Sequence, residues 1–262
     1  MKKLYFFIVA IIGVIVFLQC QKSEIGSVNE VKDPELTSRS TGNIHKVISP
    51  GCDIYSQLQG IVVCGNIENV NYIITTNLGC QISVTMNVRK CNKLDINGSI
   101  TGYYIDFRNL QWSLVQPANN DCQNWYNQLI QISIGGNSDA FKNFSFWLQE
   151  EFEKKYLLEL ALAGGLNCNT DPVLNSYYFK SPCLQMCYKE INRGGNIEYE
   201  LYLTPCATDG CCVRESAYCY DSETGKLKPL WNDTNLISPC TEFLQDPCLN
   251  DYSAGSCNAS CE

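Results

Sequence analysis

The sequence is poor in two residue types that many functions need. It contains a single histidine, His45, so a serine or cysteine nucleophile that requires an imidazole base has one candidate only. Lysine and arginine number 19 against 27 acidic residues, which gives a net charge of −8. Because binding to phosphate backbones requires clustered cations, no nucleic-acid partner is expected. Glycine-rich nucleotide-binding motifs are also missing.

The chain opens with two lysines, and an uncharged apolar run then extends from Leu4 to Leu18. As a helix with a rise of ~1.5 Å per residue this run would span about 22 Å, which is less than the ~30 Å hydrocarbon core of a bilayer. The pattern is typical of a secretory signal peptide rather than of a membrane-spanning helix. We therefore assign residues 1–19 to a signal peptide.

Phe17-Leu18-Gln19-Cys20 resembles the lipobox of bacterial lipoproteins, in which a diacylglyceryl group is attached to the cysteine sulfur and the leader is cut just before it. The following Gln21-Lys22-Ser23-Glu24 is similar to tether motifs that direct lipoproteins of the Bacteroidota to the outer face of the outer membrane. The resemblance covers residues 1–24 and implies a lipid on Cys20, with the membrane as a partner. An ordinary signal peptide, cleaved nearby, is the alternative.

The chain has 17 cysteines, far more than a reducing compartment usually tolerates in a protein of this length. With Cys20 set aside for lipid, an even number remains, as full disulfide pairing requires. Zinc is the less favoured alternative for close cysteines, because an oxidising compartment favours disulfides. Adjacent cysteines seldom bond each other and should reach different partners. The disulfide candidates are Cys52, Cys64, Cys80, Cys91, Cys122, Cys168, Cys183, Cys187, Cys206, Cys211, Cys212, Cys219, Cys240, Cys248, Cys257 and Cys261.

Residues 20–50 are polar and show neither a helical nor a strand period, which predicts a lipidated flexible tether. His45 lies in this tether and is expected to be a solvated side chain. Residues 51–165 have the pattern of an α+β domain. Within it, alternating apolar residues predict a strand in CQISVTMNVRKC, and Asn97-Gly98 predicts a tight turn into a second strand, SITGYYIDF. The alternating isoleucines of QLIQISI predict a third strand.

Residues 138–163 carry apolar side chains at spacings of three and four, which predicts one long amphipathic helix. Residues 166–262 hold most of the candidate cysteines between short strand-like segments, and we predict a disulfide-rich β region there. Five candidate cysteines precede the boundary near 165 and eleven follow it, so full pairing requires a disulfide across it. The predicted fold class is α+β, mostly antiparallel β.

Two sets of side chains in this sequence bear on chemistry. Carboxylates in or beside predicted strands could act as the acid and base of a glycoside hydrolase, but no motif fixes their separation, and solvated carboxylates are the favoured interpretation. Aromatic rings could stack on a sugar, although core packing is favoured for them. The carboxylates are Asp106, Glu198, Glu200 and Asp221, and the aromatic residues are Tyr103, Tyr104, Trp112, Trp125, Trp147 and Trp231.

The sequence predicts a surface-exposed lipoprotein of the cell envelope, anchored in the outer membrane, whose body is a non-enzymatic binding, adhesion or accessory structural module. Its expected ligand is a surface glycan or a protein, and no catalytic residue, cofactor or metal ligand is assigned. One alternative is a secreted hydrolase that acts on polysaccharide through carboxylates. Another is a eukaryotic secreted cysteine-rich protein, for which there are N-x-Ser/Thr sequons at Asn97, Asn143, Asn232 and Asn258.

Overall fold

The structure is a computed structural model that describes residues 43–50, 52, 61–169, 173–259 and 261. The predicted signal peptide, the predicted lipid site at Cys20 and most of the predicted tether lie outside the described residues. The regular structure is mostly β-sheet, with helix as the smaller part, so the mixture of helix and sheet is confirmed.

The strands of the described residues belong to one sheet of eleven strands. Most neighbours are antiparallel, and the parallel pairs are β1 with β7 and β4 with β5. The strands are β1 (His45–Val47), β2 (Ile61–Thr75), β3 (Gln81–Leu94), β4 (Ile100–Leu114), β5 (Leu174–Lys180), β6 (Cys183–Arg193), β7 (Asn196–Pro205), β8 (Cys211–Asp221), β9 (Lys226–Ser238), β10 (Tyr252–Ser253) and β11 (Asn258–Ala259).

Two helices follow β4, whereas the sequence predicted one. The predicted third strand is wrong, because its residues belong to helix α1 (Asn120–Ile134). The Asn119 side chain caps this helix by accepting a hydrogen bond of 2.8 Å from the Cys122 N–H, which satisfies a first-turn amide. A run of only seven residues is too short for its apolar pattern to distinguish a strand from a helix segment, so periodicity alone did not separate the two.

The predicted long helix is present as α2 (Ser138–Gly164). Phe141, Leu148 and Phe152 of its expected apolar face are fully buried, so this side of the helix packs on the sheet. Two polar residues, Gln149 and Glu153, are buried on it as well. The helix ends at Gly165, whose φ of 62° places it in the left-handed region that favours glycine.

Strand β4 is the centre of the sheet because it has three neighbours. β3 pairs with β4 along its whole length and fills one edge. The other edge is shared by β5, which pairs with residues 103–107, and by β1, which pairs with residues 110–112. Two sets of strands therefore continue from this edge. We call β1, β7, β6, β10 and β11 the first arm, and β5, β8 and β9 the second arm.

Asn109 lies in β4 between the two arms and has a φ of 52°, a conformation that asparagine tolerates better than most residues. Its backbone N–H donates to the Ser49 hydroxyl, and its side-chain oxygen accepts from the Ser49 N–H, each at 3.0 Å. These two hydrogen bonds hold the chain that follows β1 against β4 at the point where the arms separate.

The main core lies between the sheet and the helices. The alternation predicted for β3 is confirmed, since Ile82, Val84, Met86 and Val88 are all buried on this side. Helix α2 packs over β2, β4 and the second arm. A smaller apolar cluster, with Tyr104 and Phe179 among its members, is separate from this core. Short turns at 194–195 and 222–225 connect β6 to β7 and β8 to β9.

All sixteen candidate cysteines of the body are paired in the structure. The pairs are Cys52–Cys211, Cys64–Cys91, Cys80–Cys122, Cys168–Cys219, Cys183–Cys240, Cys187–Cys248, Cys206–Cys257 and Cys212–Cys261. Cys52–Cys211 is the bond that crosses residue 165, as the odd number of cysteines on each side required. The adjacent Cys211 and Cys212 bond different partners, as predicted. Strands from 61–165 and from 173–259 share the one sheet.

Candidate functional site

A cavity of about 550 Å³ lies beside the first arm, between α1, the end of β4 and the beginning of β7. Its lining is rich in carboxamides and holds little charge, because Glu198 is its one ionisable carboxylate. Leu114, Ile130 and Ile197 add apolar surface. The carboxamides are Asn43, Gln116, Gln123, Asn127 and Gln131, and the aromatic members are Tyr126 and Tyr199.

Helix α1 brings three of the carboxamides to one side of the cavity. Gln123, Asn127 and Gln131 are spaced by four residues and so lie on one face of the helix. The disulfide Cys80–Cys122 attaches the first turn of the helix to the start of β3. The position of these side chains is thus fixed by a covalent bond and by the Asn119 cap.

The carboxamides form a chain of hydrogen bonds along the cavity wall. Gln116 Nε2 donates to Gln123 Oε1 at 3.2 Å, and Gln123 Nε2 donates to Asn127 Oδ1 at 3.0 Å. Gln116 Oε1 accepts from the Ala118 N–H at 3.1 Å. These bonds orient each amide, so the wall presents ordered donors and acceptors rather than freely rotating groups.

Asn43 supplies an acceptor without a donor. The residue is 8% exposed, and its Oδ1 has no hydrogen-bond partner in the part of the chain that the structure describes. A buried carbonyl oxygen without a partner costs about 1–3 kcal/mol. A ligand hydroxyl or amide in the cavity would remove this cost by donating to Asn43.

The position of His45 differs from the one predicted from the sequence. It was predicted to be solvated in a flexible tether, but it belongs to β1 and its side chain is completely buried. Its Nε2 lies 2.6 Å from the Tyr126 hydroxyl, and its Nδ1 accepts from the Leu201 N–H at 2.9 Å. Burial lowers the pKa of His45 to about 3. The tether prediction is also too long, because β1 pairs on both edges with β4 and β7.

The four candidate carboxylates lie in different environments. Asp106 is 2% exposed and accepts hydrogen bonds of 2.8 Å from Arg89 and from Arg108, so it is neither solvated nor in the cavity. Glu200 pairs with Lys46 at 2.6 Å. Asp106 and Glu200 are thus engaged with cations, and neither lines the cavity.

Glu198 is the candidate that lines the cavity, and it lies 3.4 Å from Arg193. Asp221 accepts from the Glu223 N–H at 2.9 Å in the turn after β8, and this hydrogen bond lowers the pKa of its carboxyl group. The described residues therefore bring one of the four predicted carboxylates to the cavity, not two.

The predicted aromatic candidates do not gather at the cavity either. Trp112 and Tyr104 are buried, as the core interpretation predicted, while Trp125 and Trp147 are half-buried beside Phe144. Trp231 is 44% exposed, on β9 of the second arm.

Sequence reasoning missed a different row of rings on the first arm. Tyr199 lines the cavity, Tyr188 lies 5.9 Å from it between ring centroids, and Tyr252 stacks on Tyr188 at 5.1 Å. The cross-strand register places these three side chains on one face of β7, β6 and β10. We call them the tyrosine row. It leads from the cavity to an edge of the sheet, where Tyr252 is 55% exposed.

Neither α1 nor α2 has an apolar stretch of the length that a bilayer span needs. Within the described ranges, no group of three or more histidine, cysteine and acidic side chains is arranged to hold a metal ion. No known protein family matches the chain, and no characterised protein or solved structure shows significant similarity to it.

Proposed function

We propose that the protein is a lipid-anchored protein of the cell envelope whose folded body is a non-enzymatic glycan-binding module. The observation that carries this proposal is Asn43, which is one of the carboxamide residues that line the cavity and whose buried Oδ1 has no hydrogen-bond partner within the described residues. Each sugar hydroxyl both donates and accepts a hydrogen bond, and so matches a wall in which donors and acceptors alternate. A hydroxyl that donates to Asn43 Oδ1 would satisfy a group that has no partner among the described residues.

The tyrosine row supports a glycan rather than a small isolated ligand. Binding sites commonly combine flat apolar surface with a few placed polar groups, and the rings of Tyr199, Tyr188 and Tyr252 supply such a surface beside the cavity. Centroid separations of 5.9 and 5.1 Å make the row continuous. We propose that the end of the glycan occupies the cavity and that the following sugars lie over the row.

The charge of the cavity supports binding without hydrolysis. Glycoside hydrolysis by the usual route needs two carboxyl groups on opposite sides of one bond. Among the described lining residues Glu198 is the one carboxylate, and its oxygen lies 3.4 Å from Arg193. A single ion-paired carboxylate does not supply both the acid and the base. The carboxylate-dependent hydrolase is therefore the alternative outcome of the test.

Binding is tested with the complete mature protein, purified from the envelope in detergent. Calorimetric titration with cellohexaose, chitohexaose and maltohexaose is expected to detect binding of at least one of them. Asn43→Ala should weaken that binding about tenfold, because the ligand loses an acceptor. Trp231→Ala, an exposed aromatic change on the second arm, is the control and should leave affinity unchanged.

Two results would contradict the proposal. Failure of every hexasaccharide to bind would remove the glycan as ligand, and binding unaffected by Asn43→Ala would remove the cavity as its site. Release of shorter sugars, abolished by Glu198→Gln, would establish the hydrolase instead. Product analysis by mass spectrometry after incubation distinguishes turnover from binding.

The proposed location in the cell envelope rests on the leader sequence and on the cysteines. The lipobox-like segment ending at Cys20 supports a lipid anchor, and eight disulfides are typical of an exported protein. Intact mass before and after reduction is expected to show the acyl chains, the loss of residues 1–19 and the number of disulfides together. Cys20→Ser should release the protein from the membrane fraction. An unacylated residue 20 in the native protein would overturn the anchor.

A further inference from the structure

We infer that Tyr126 presents its phenolic hydrogen to the cavity as a fixed donor, because the other side of its oxygen is filled by the N–H of a neutral His45. The inference rests on the proposed glycan-binding function and deepens it. The group of the glycan that meets Tyr126 must then be a hydrogen-bond acceptor: a hydroxyl oxygen, a ring oxygen or an acetamido carbonyl.

The backbone fixes the protonation state of one ring nitrogen. The Leu201 N–H can only donate, and it lies 2.9 Å from His45 Nδ1. Nδ1 must therefore offer a lone pair. A hydrogen on Nδ1 would point directly at the amide hydrogen, so the imidazolium form is incompatible with this contact.

The second nitrogen then has only one possible role. A neutral imidazole carries its hydrogen on one of the two nitrogens, and Nδ1 is already the acceptor. Nε2 must carry the hydrogen and donate it to the Tyr126 oxygen, 2.6 Å away. Donation in the reverse direction, from Tyr126 to Nε2, would require an imidazolate anion. Such an anion has no support from this buried apolar site.

The surroundings of His45 keep the ring neutral and in place. The ring centroid lies 4.4 Å from that of Trp112 and 5.6 Å from that of Phe141. The contact to Tyr126 is a side-chain hydrogen bond within the same aromatic cluster. Burial that lowers the pKa of His45 to about 3 is consistent with this arrangement.

The Tyr126 hydroxyl consequently keeps its own hydrogen for another acceptor. Tyr126 lines the cavity, and no further hydrogen bond of its hydroxyl occurs within the described residues besides that to His45. Burial raises the pKa of Tyr126, and the charge of Glu198 raises it further, so the phenol stays protonated. The cavity lining thus combines a donor of fixed direction at Tyr126 with Asn43, whose Oδ1 has no partner in the described part of the chain.

The first experiment needs no ligand. His45 is the only histidine, so the mature protein labelled with ¹⁵N-histidine gives the ring-nitrogen signals of one imidazole. Long-range ¹H–¹⁵N correlation at neutral pH is expected to show a protonated Nε2 and an unprotonated Nδ1. A protonated Nδ1, or an imidazolium, would overturn the inference whatever the protein binds.

The second experiment uses the hexasaccharide that binds among cellohexaose, chitohexaose and maltohexaose. Tyr126→Phe removes the donor and should weaken binding about tenfold. Tyr156→Phe removes a phenolic hydroxyl from α2, outside the cavity lining and the tyrosine row, and is the control that should leave binding unchanged.

The outcomes separate the inference from the proposed function. Binding that survives Tyr126→Phe unchanged would overturn the donor role and leave the glycan site intact. If no hexasaccharide binds, the glycan proposal fails together with the ligand role of Tyr126, whereas the protonation of His45 is still decided by the nitrogen signals. Should Tyr126→Phe not fold, the ¹⁵N spectra of the unmutated protein still decide whether His45 Nε2 carries the hydrogen that it donates to the Tyr126 oxygen. The inference depends on that hydrogen.

Discussion

The two arms of the sheet bury polar groups in different ways. Against the second arm, the α2 carboxylate of Glu153 is 1% exposed and is paired with Arg214 of β8, and the Ser176 hydroxyl of β5 donates to it as well. This ion pair thus lies between α2 and the arm on which the helix packs. In the first arm, His45 is buried without charge, and just ahead of β1 the Asn43 Oδ1 has no partner among the residues that the structure describes. The charged pair is thus enclosed between α2 and the second arm, whereas the polar groups buried at β1 are neutral.

The arms also differ in what holds them together. The second arm has long strands under α2, whereas the first arm ends in β10 and β11, each of two residues. These short strands hydrogen-bond to β6, and disulfides attach the segment that contains them at Cys240, Cys248 and Cys257. Few backbone hydrogen bonds hold this segment, so covalent bonds replace them. We therefore expect loss of a charge partner to destabilise the second arm, and loss of a disulfide to loosen the short strands at the end of the first arm.

The largest expected effect is in the second arm. Arg214→Ala leaves the Glu153 carboxylate buried without a cation and should lower the free energy of unfolding by about 4 kcal/mol. Urea denaturation measures this. Lys154→Ala, which breaks exposed pairs with Glu150 and Glu151 on the same helix, is the control and should cost less than about 0.5 kcal/mol.

The double variant Glu153→Gln/Arg214→Met sharpens the same test. It removes both charges, so it should be more stable than Arg214→Ala alone. A double variant that is less stable than the single one would mean that the ion pair is a net source of stability.

Two disulfides give a matched comparison between the arms. Cys168–Cys219 and Cys206–Cys257 each join residues 51 positions apart, so the restriction of the unfolded chain predicts an equal loss of about 4 kcal/mol when either is replaced by two serines. Only the loss of Cys206–Cys257 should also speed amide exchange in β10 and β11. Equal exchange in the two variants would show that hydrogen bonds suffice to hold these strands.

The pH dependence of stability should report on the first arm. Folding lowers the pKa of His45 from 6.5 to about 3. Between these two pH values the imidazole is protonated in the unfolded chain but neutral in the folded protein. The contribution of His45 to the free energy of unfolding is fully present above pH 6.5 and is lost as the pH falls, by about 2.7 kcal/mol at about pH 4.5. His45→Gln should flatten this part of the curve, measured by urea midpoints. An unchanged slope would assign it to carboxylates instead.

The smallest expected effect concerns the tyrosine row. Tyr252→Ala should weaken binding of the hexasaccharide about fivefold, since an aromatic contact contributes about 1 kcal/mol. The melting temperature should change little, because Tyr252 is 55% exposed. Trp231→Ala removes a comparably exposed ring from the second arm and should leave affinity as it was. Equal losses in both variants would show that the glycan does not distinguish the arms.

The elements that could be predicted from sequence are those whose pattern is long and local. Apolar and polar residues alternate over most of β3, and α2 repeats its apolar spacing for several turns. The repeat within each segment was therefore enough to predict a strand and a helix. The short α1 lacked that length. Strand β1 was missed for another reason: its three residues acquire a strand conformation only through β4 and β7, whose partner residues are far away in sequence.

The candidate site was largely beyond prediction for the same reason. Of the cavity residues, sequence reasoning named only Glu198, because carboxamides belong to no catalytic motif. A signal was present in Gln123, Asn127 and Gln131, whose spacing of four places them on one helix face, but it required α1 to be recognised first. The burial of His45 depends on Tyr126 and Leu201, which lie 81 and 156 positions along the chain.

The central position of β1 has a mechanical consequence. A force applied to the chain ahead of residue 43 enters the body through this strand, which is hydrogen-bonded on both edges, to β4 and to β7. If β1 is pulled free, unravelling proceeds only as far as Cys52, where the disulfide to Cys211 transfers the load to β8. Tension at the amino-terminal end therefore meets a covalent stop before it reaches the β2–β3 hairpin.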